Sequence, residues 1–133
     1  MYLSKLGKEQ KDLFLQIAYH FVYADGVYSE YEHQEMIAYC NEMGIENNEV
    51  QPRNESEIFE KAKRICSKAD GKIIIFELIG LGMVDGIFDV DERKFIKIFT
   101  EMLGITDEYC NECEKAIQEY LRIQEKFNNL VIA

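Results

Sequence analysis

Sliding the chain against itself by 60 residues lays one helix–turn–helix pattern on a second copy without a gap. Asp25-Gly26 falls on Asp85-Gly86, Val27-Tyr28 on Ile87-Phe88, Glu32 on Glu92, Tyr39 on Phe99, Met43 on Leu103, and Gly44-Ile45 on Gly104-Ile105. Upstream, Ala18 meets Leu78 and Phe21 meets Leu81. Such a repeat constrains the fold more than any local propensity, because whatever one copy forms the other forms too. The expectation is an all-α fold: a compact bundle of about six or seven helices made of two pseudo-symmetric helix–Asp-Gly-turn–helix repeats. A single domain over residues 1–133 holds repeat one at approximately 8–45, a connector at 46–54 and repeat two at approximately 55–126. The connector is rich in Asn and Glu and carries the one proline, Pro52.

Apolar spacing agrees. Leu13, Phe14, Ile17, Ala18, Phe21 and Val22 follow the three-and-four rule of a helix face and stop at Asp25-Gly26. Met36, Ile37, Cys40 and Met43 form a second stripe ending at Gly44, and Phe95, Ile96, Phe99, Met102 and Leu103 form its counterpart ending at Gly104. Glycine suits those ends because it takes a left-handed conformation without a Cβ penalty. Ile58, Ala62, Ile65, Cys66 and Ala69 predict a third helix closed by Asp70-Gly71. The last pattern is Cys110, Cys113, Ile117, Tyr120 and Leu121, with Thr106 as its N-cap. The β-branched run Ile73-Ile74-Ile75 would suit a strand, but Ile73 to Val84 is long for one and has no partner strand. Its match to the first helix settles it as a buried helix, with Gly80 and Gly82 expected to admit neighbouring backbones. Glu77 is the one charge in that segment. A buried lone carboxylate is costly, so it is expected to pair with Lys63 or Arg64 or to reach the surface.

The turns themselves are acidic. Ser29 with Glu32, and Asp89 with Glu92, place an N-cap residue three positions before a glutamate, the spacing of a capping box and its close variant. Glu30 and Asp91 further suit the positive end of a helix dipole. Each Asp-Gly precedes its glutamate at the spacing of positions 5, 6 and 12 of an EF-hand. Positions 1 and 3, however, are Phe21 and Tyr23, or Leu81 and Met83, which offer no oxygen ligands. A true EF-hand is therefore excluded.

Composition narrows the function. Apolar residues at 47% supply enough area for a core, and a net charge of −10 repels nucleic-acid phosphates and anionic lipid. Basic protein segments or cations are the expected partners. The N-terminus has no signal-peptide pattern and no segment is long enough to insert directly into a membrane, so the cytoplasm is the default location. Cys40, Cys66, Cys110 and Cys113 follow no disulfide framework or zinc-finger pattern, and the lone Cys110/Cys113 pair is expected to be two half-buried free thiols on one helix face. His33, near Glu30 and Glu35, lacks a second histidine at ligand spacing and is expected to be exposed; His20 is expected at the boundary of the first helix. No nucleophile elbow, Walker loop, zincin motif or Rossmann glycine pattern is present, so no enzyme is expected, and a divalent cation is the one cofactor the residues suggest.

The stretches Tyr23-Ala-Asp-Gly-Val-Tyr-Ser-Glu-Tyr-Glu32 and Met83-Val-Asp-Gly-Ile-Phe-Asp-Val-Asp-Glu92 are each followed by a helix ending in Met43-Gly-Ile45 or Leu103-Gly-Ile105. In these motifs the chain resembles the tellurite-resistance TerB-like domains, relatives of the helical domain in some membrane-bound DnaJ-type co-chaperones. The resemblance spans roughly residues 10–125 as an ordered pair of repeats. It implies a non-enzymatic interaction or sensing module in a bacterial stress or metal-resistance response. A protein partner, basic or membrane-associated, would dock on the acidic face, with Tyr28, Tyr31 and Phe88 adding apolar contact. The alternative is a divalent-cation sensor built on Asp25, Glu32, Asp85 and Glu92, which requires the two turns to converge. A metal-dependent hydrolase using the same carboxylates stands third.

Overall fold

The computed structural model describes residues 1–23, 30–45, 54–83 and 90–132, except for the side chains of residues 21–23, 31, 32 and 35. Among these residues the fold is all-helical. A short 3-10 turn at Leu3–Lys5 leads into α1 (Lys8–Tyr23), α2 (Glu30–Met43), α3 (Glu55–Ile65), α4 (Lys68–Gly82), α5 (Val90–Leu103) and α6 (Asp107–Val131). Helices α2 and α5 begin and end 60 residues apart, and so do the starts of α1 and α4. The run Ile73-Ile74-Ile75 lies inside α4, so helical neighbours override its β propensity.

Both glycine stops behave as the stripes require. Gly44 and Gly104 take φ of 69° and 71°. The amides that follow them close the helix ends, Ile45 N–H on the Cys40 carbonyl at 3.0 Å and Ile105 N–H on the Thr100 carbonyl at 2.9 Å. This six-to-one bond satisfies carbonyls that a helix terminus otherwise leaves without partners. Thr106 caps α6, its hydroxyl accepting from the Tyr109 amide at 3.2 Å.

One boundary departs from expectation. Asp70-Gly71 does not close the third helix, because α3 already ends at Ile65 and Asp70-Gly71 lies in the first turns of α4. Ser67 is the reason. Its hydroxyl accepts from the Asp70 amide at 3.1 Å while the Asp70 carboxylate accepts from the Ser67 amide at 3.0 Å, a reciprocal capping box. The same Asp-Gly pair that looks like a helix stop in isolation thus starts one when a serine stands three residues before the acid.

Helix α4 runs through the middle, packing on α1, α5 and α6, while α3 packs on α1 and α5. Phe14 and Phe99 are fully buried at the centre, with Leu13, Ile17, Ile58, Ile74, Ile75 and Leu78 around them. Phe14 meets Tyr39 edge-on with ring centroids 5.0 Å apart, and Phe59, Phe95 and Phe99 continue the aromatic row. Truncating either central phenylalanine costs about 3–5 kcal/mol. Close approach falls at Gly71, where a Cβ would meet the Leu103 side chain at 2.6 Å, and not at Gly80, which has open space on its Cβ side. Of the expected stripes, Ile37 and Ala69 are exposed, and so are Tyr120 and Leu121 of α6.

Candidate protein-interaction surface

The long last helix breaks the rule that apolar faces turn inward. Cys113 and Ile117 are buried against the body, yet every residue from 118 to 132 is exposed. Tyr120, Leu121, Ile123, Phe127, Leu130 and Val131 stand between 39% and 81% exposed. Single exposed apolar side chains need no explanation, but a run of six on one helix is unusual for a surface facing only water. Glu119, Arg122, Glu125 and Lys126 keep the other side of this segment polar. The fourteen helical residues from 118 to 131 pack little on the described body and gain little stability from tertiary contacts, so they gain most from a partner.

At the foot of this overhang lies an apolar cavity of about 440 Å³ between α2, α4 and α6. Phe76, Ala116, Ile117, Tyr120 and Leu121 wall it, and Glu42 and Glu77 stand at its rim. Glu77 is buried and is not paired with Lys63 or Arg64, both of which face solvent from α3. One of its carboxylate oxygens instead accepts from the Met1 ammonium at 3.0 Å and the Tyr2 amide at 2.9 Å, and Glu42 binds the same ammonium. Burial works to lower the pKa of that ammonium, but hydrogen bonds to Glu42 and Glu77 outweigh it and hold it above the ordinary 8.0. Glu77 pairs with the first two residues of the chain and not with α3, a contact between segments far apart in sequence. The chain's own Met1 ammonium thus neutralises both rim carboxylates.

The residues expected to carry function divide sharply. Asp25, Tyr28, Asp85 and Phe88 lie outside the described residues, as do the N-cap positions Ser29 and Asp89 and most of the 46–54 connector. Tyr31 and Glu32 sit in the first turn of α2, with their side chains outside the description. Glu92 is described: it is buried in the first turn of α5, beside the dipole end that favours a carboxylate. Convergence of the four acids is therefore not part of the described geometry. Among the described residues no group of three or more His, Cys, Asp or Glu side chains is placed to hold a metal ion.

The remaining chemistry-bearing side chains take structural positions. His33 is exposed on α2. His20 is half-buried, its Nε2 3.2 Å from a Glu55 carboxylate oxygen and its ring 5.6 Å from that of Phe95. The four cysteines are free thiols. Burial, reinforced by nearby acids, pushes Cys66 and Cys110 up to about 11, far from the thiolate range of a reactive or metal-binding cysteine. Burial also raises Cys113. Tyr109 bridges α6 to α4, donating to the Lys72 carbonyl at 2.8 Å.

No described helix is long and apolar enough to cross a membrane. No family model, curated protein or solved structure matches this chain. The surface on α6 was missed because its stripe, Ile117 to Val131, has the same period whether a neighbour covers it or not. A usable signal was its length, since the pattern runs well past Ile105, where the 60-residue correspondence ends.

Proposed function

We propose that this chain is a non-enzymatic, TerB-like interaction module that binds a protein partner in a bacterial-type stress or metal-resistance response in the cytoplasm. The observation that carries it is the exposed apolar face of α6 from residue 118 to 132, continuous with the cavity at its foot. A net charge of −10 favours partners with a cationic group beside an apolar face. Two pseudo-symmetric halves are supported by matching helix limits and by matching contacts. Lys11 reaches the Met43 carbonyl at 3.2 Å, and Gly71, 60 residues on, lies against Leu103. The TerB-like motifs at the two turns remain the basis of the family assignment.

Placing a photo-reactive benzoylphenylalanine at Phe127 in living cells tests the surface. A discrete cross-linked product is expected from that site and none from the same group at Ile98 of α5, which is also exposed. Absence of any product at Phe127 refutes the surface.

Divalent-cation sensing at the paired turns is the second function, and the burial of Glu92 favours it over simple surface capping. Its test is a melt with calcium, magnesium, zinc or manganese. A saturable rise in Tm that Asp25→Asn with Asp85→Asn abolishes supports it, because a ligand that prefers the native state stabilises by mass action. No shift with any of the four ions refutes it.

A further inference from the structure

We infer that the occupant of the α6 face is a second copy of this chain, paired antiparallel through residues 117–131. The inference rests on α6 being the contact surface and names its partner. Ile117, Tyr120, Gln124, Phe127 and Val131 recur at alternating spacings of four and three, the seam of a two-helix coiled coil. The segment from 118 to 132 carries Glu119, Glu125, Arg122 and Lys126, two acids against two bases, so it is neutral within a chain of net charge −10. A neutral tip can meet its own copy where the acidic body cannot. The same balance gives an anionic lipid surface nothing to attract, although the helix is amphipathic.

Charge also sets the direction. A parallel pair would place two bodies of charge −10 side by side, whereas an antiparallel pair holds them at opposite ends. Of the antiparallel registers, the one that sets Tyr120 against the partner's Gln124 brings the partner's Phe127 to the mouth of the cavity that Ile117 walls. Within one helix the Gln124 amide already donates to the Tyr120 hydroxyl at 3.2 Å, so the same donor and acceptor meet across the two-fold axis. A polar pair inside an apolar seam selects register in helical dimers. From Ile117 to Val131 the helix rises about 21 Å, which brings each tip to the apolar cavity at its partner's foot. Tyr120, Phe127 and Val131 on the seam, at 46%, 60% and 81% exposed, leave apolar surface that only a second molecule can cover, with Ile123 and Leu130 flanking it. The arrangement is isologous and closes on itself, which leaves no face for a filament.

Sedimentation equilibrium of the whole purified chain is the deciding experiment, with Phe127→Asp and Leu130→Asp as variants. Both positions are exposed, and circular dichroism confirms that the variants keep the helical fold. Wild type is expected at twice 15.6 kDa, and each variant at the monomer mass or with a dissociation constant raised at least about tenfold. Direction is read by oxidation. In a chain carrying Cys110→Ala and Cys113→Ala, so that no native thiol of α6 competes, Ile123→Cys lies beside the two-fold axis and is expected to link two copies, while Val131→Cys residues stand about 27 Å apart and are not. Linkage at position 131 and not at 123 overturns the antiparallel arrangement. Wild type that is monomeric throughout overturns self-pairing, whether or not it then sediments with phosphatidylglycerol vesicles, and leaves the surface to the photo-cross-linking test. A dimer that Phe127→Asp and Leu130→Asp leave unchanged overturns the α6 surface itself.

Discussion

Replacing Gly71 with alanine sets helix propensity against packing. The residue stands at the fourth position of α4, buried where that helix meets the end of α5. Alanine there improves helix propensity by about 0.8–1 kcal/mol. The new Cβ, however, would lie 2.6 Å from Leu103 Cδ1 and 2.9 Å from Ile105 Cδ1, inside van der Waals contact with both. Forcing a methyl into a filled site costs about 1–3 kcal/mol. Leu103 is half-buried and can turn its terminal methyl aside, whereas Ile105 is buried and cannot do so freely. The two terms leave a net destabilisation of about 1 kcal/mol, or a Tm lowered by roughly 3–5 °C for a chain of this size. Urea unfolding followed by circular dichroism measures it. Leu103→Ala alone costs about 1–3 kcal/mol by removing half-buried methyls. In the double variant the alanine methyl fills part of the vacated space, so the combined cost falls short of the sum by about 1 kcal/mol. A Gly71→Ala variant stabilised by the full propensity gain refutes the α4–α5 contact, and so do costs that add to within about 0.5 kcal/mol.

Ser67→Ala removes the capping hydroxyl from α4 and is expected to cost about 1 kcal/mol in the same unfolding assay, an effect that no change at all would contradict. Gly80→Ala has open space and helical geometry, so it is expected to stabilise by about 0.5–1 kcal/mol. Gly104→Ala must hold a positive φ and is expected to destabilise by about 1–2 kcal/mol; equal effects at the two glycines rule out this account of the helix ends. Because burial raises Cys66 and Cys110 to about 11 in the folded chain, against 9.0 ordinarily, the unfolded chain sheds those protons first. Their contribution to stability is whole below pH 9.0 and is lost as pH rises towards about 11, so a melt series across that window is expected to fall, and Cys66→Ser with Cys110→Ser to flatten it.

Features set within a few residues of one another were legible from the chain alone. The stripes of α1 and α5, the glycine stops at Gly44 and Gly104, the Thr106 cap and the helical state of Ile73 to Gly82 all depend on spacings of three, four or 60, which sequence displays directly. The cap at Ser67 was equally local and equally readable. Asp70-Gly71 has the same form as an Asp-Gly helix stop, and the serine three residues before it is what makes it a helix start.

Contacts between distant segments were decided only by tertiary structure. Glu77 finds the Met1 ammonium and the Tyr2 amide because the fold lays the start of the chain on α4, a contact 75 and 76 residues apart that no local spacing encodes. Gly71, and not Gly80, admits a close neighbour because α5 ends against it. The exposed half of α6 is the clearest case. Periodicity determines that Ile117 to Val131 form one amphipathic face, but whether the fold covers it depends on how far the body extends along the helix. Among the described residues the body buries Cys113 and Ile117, and every residue from 118 to 132 is exposed. A hydrophobic stripe states that something must be buried; only the packed structure shows that, among the described residues, its outer half is left exposed.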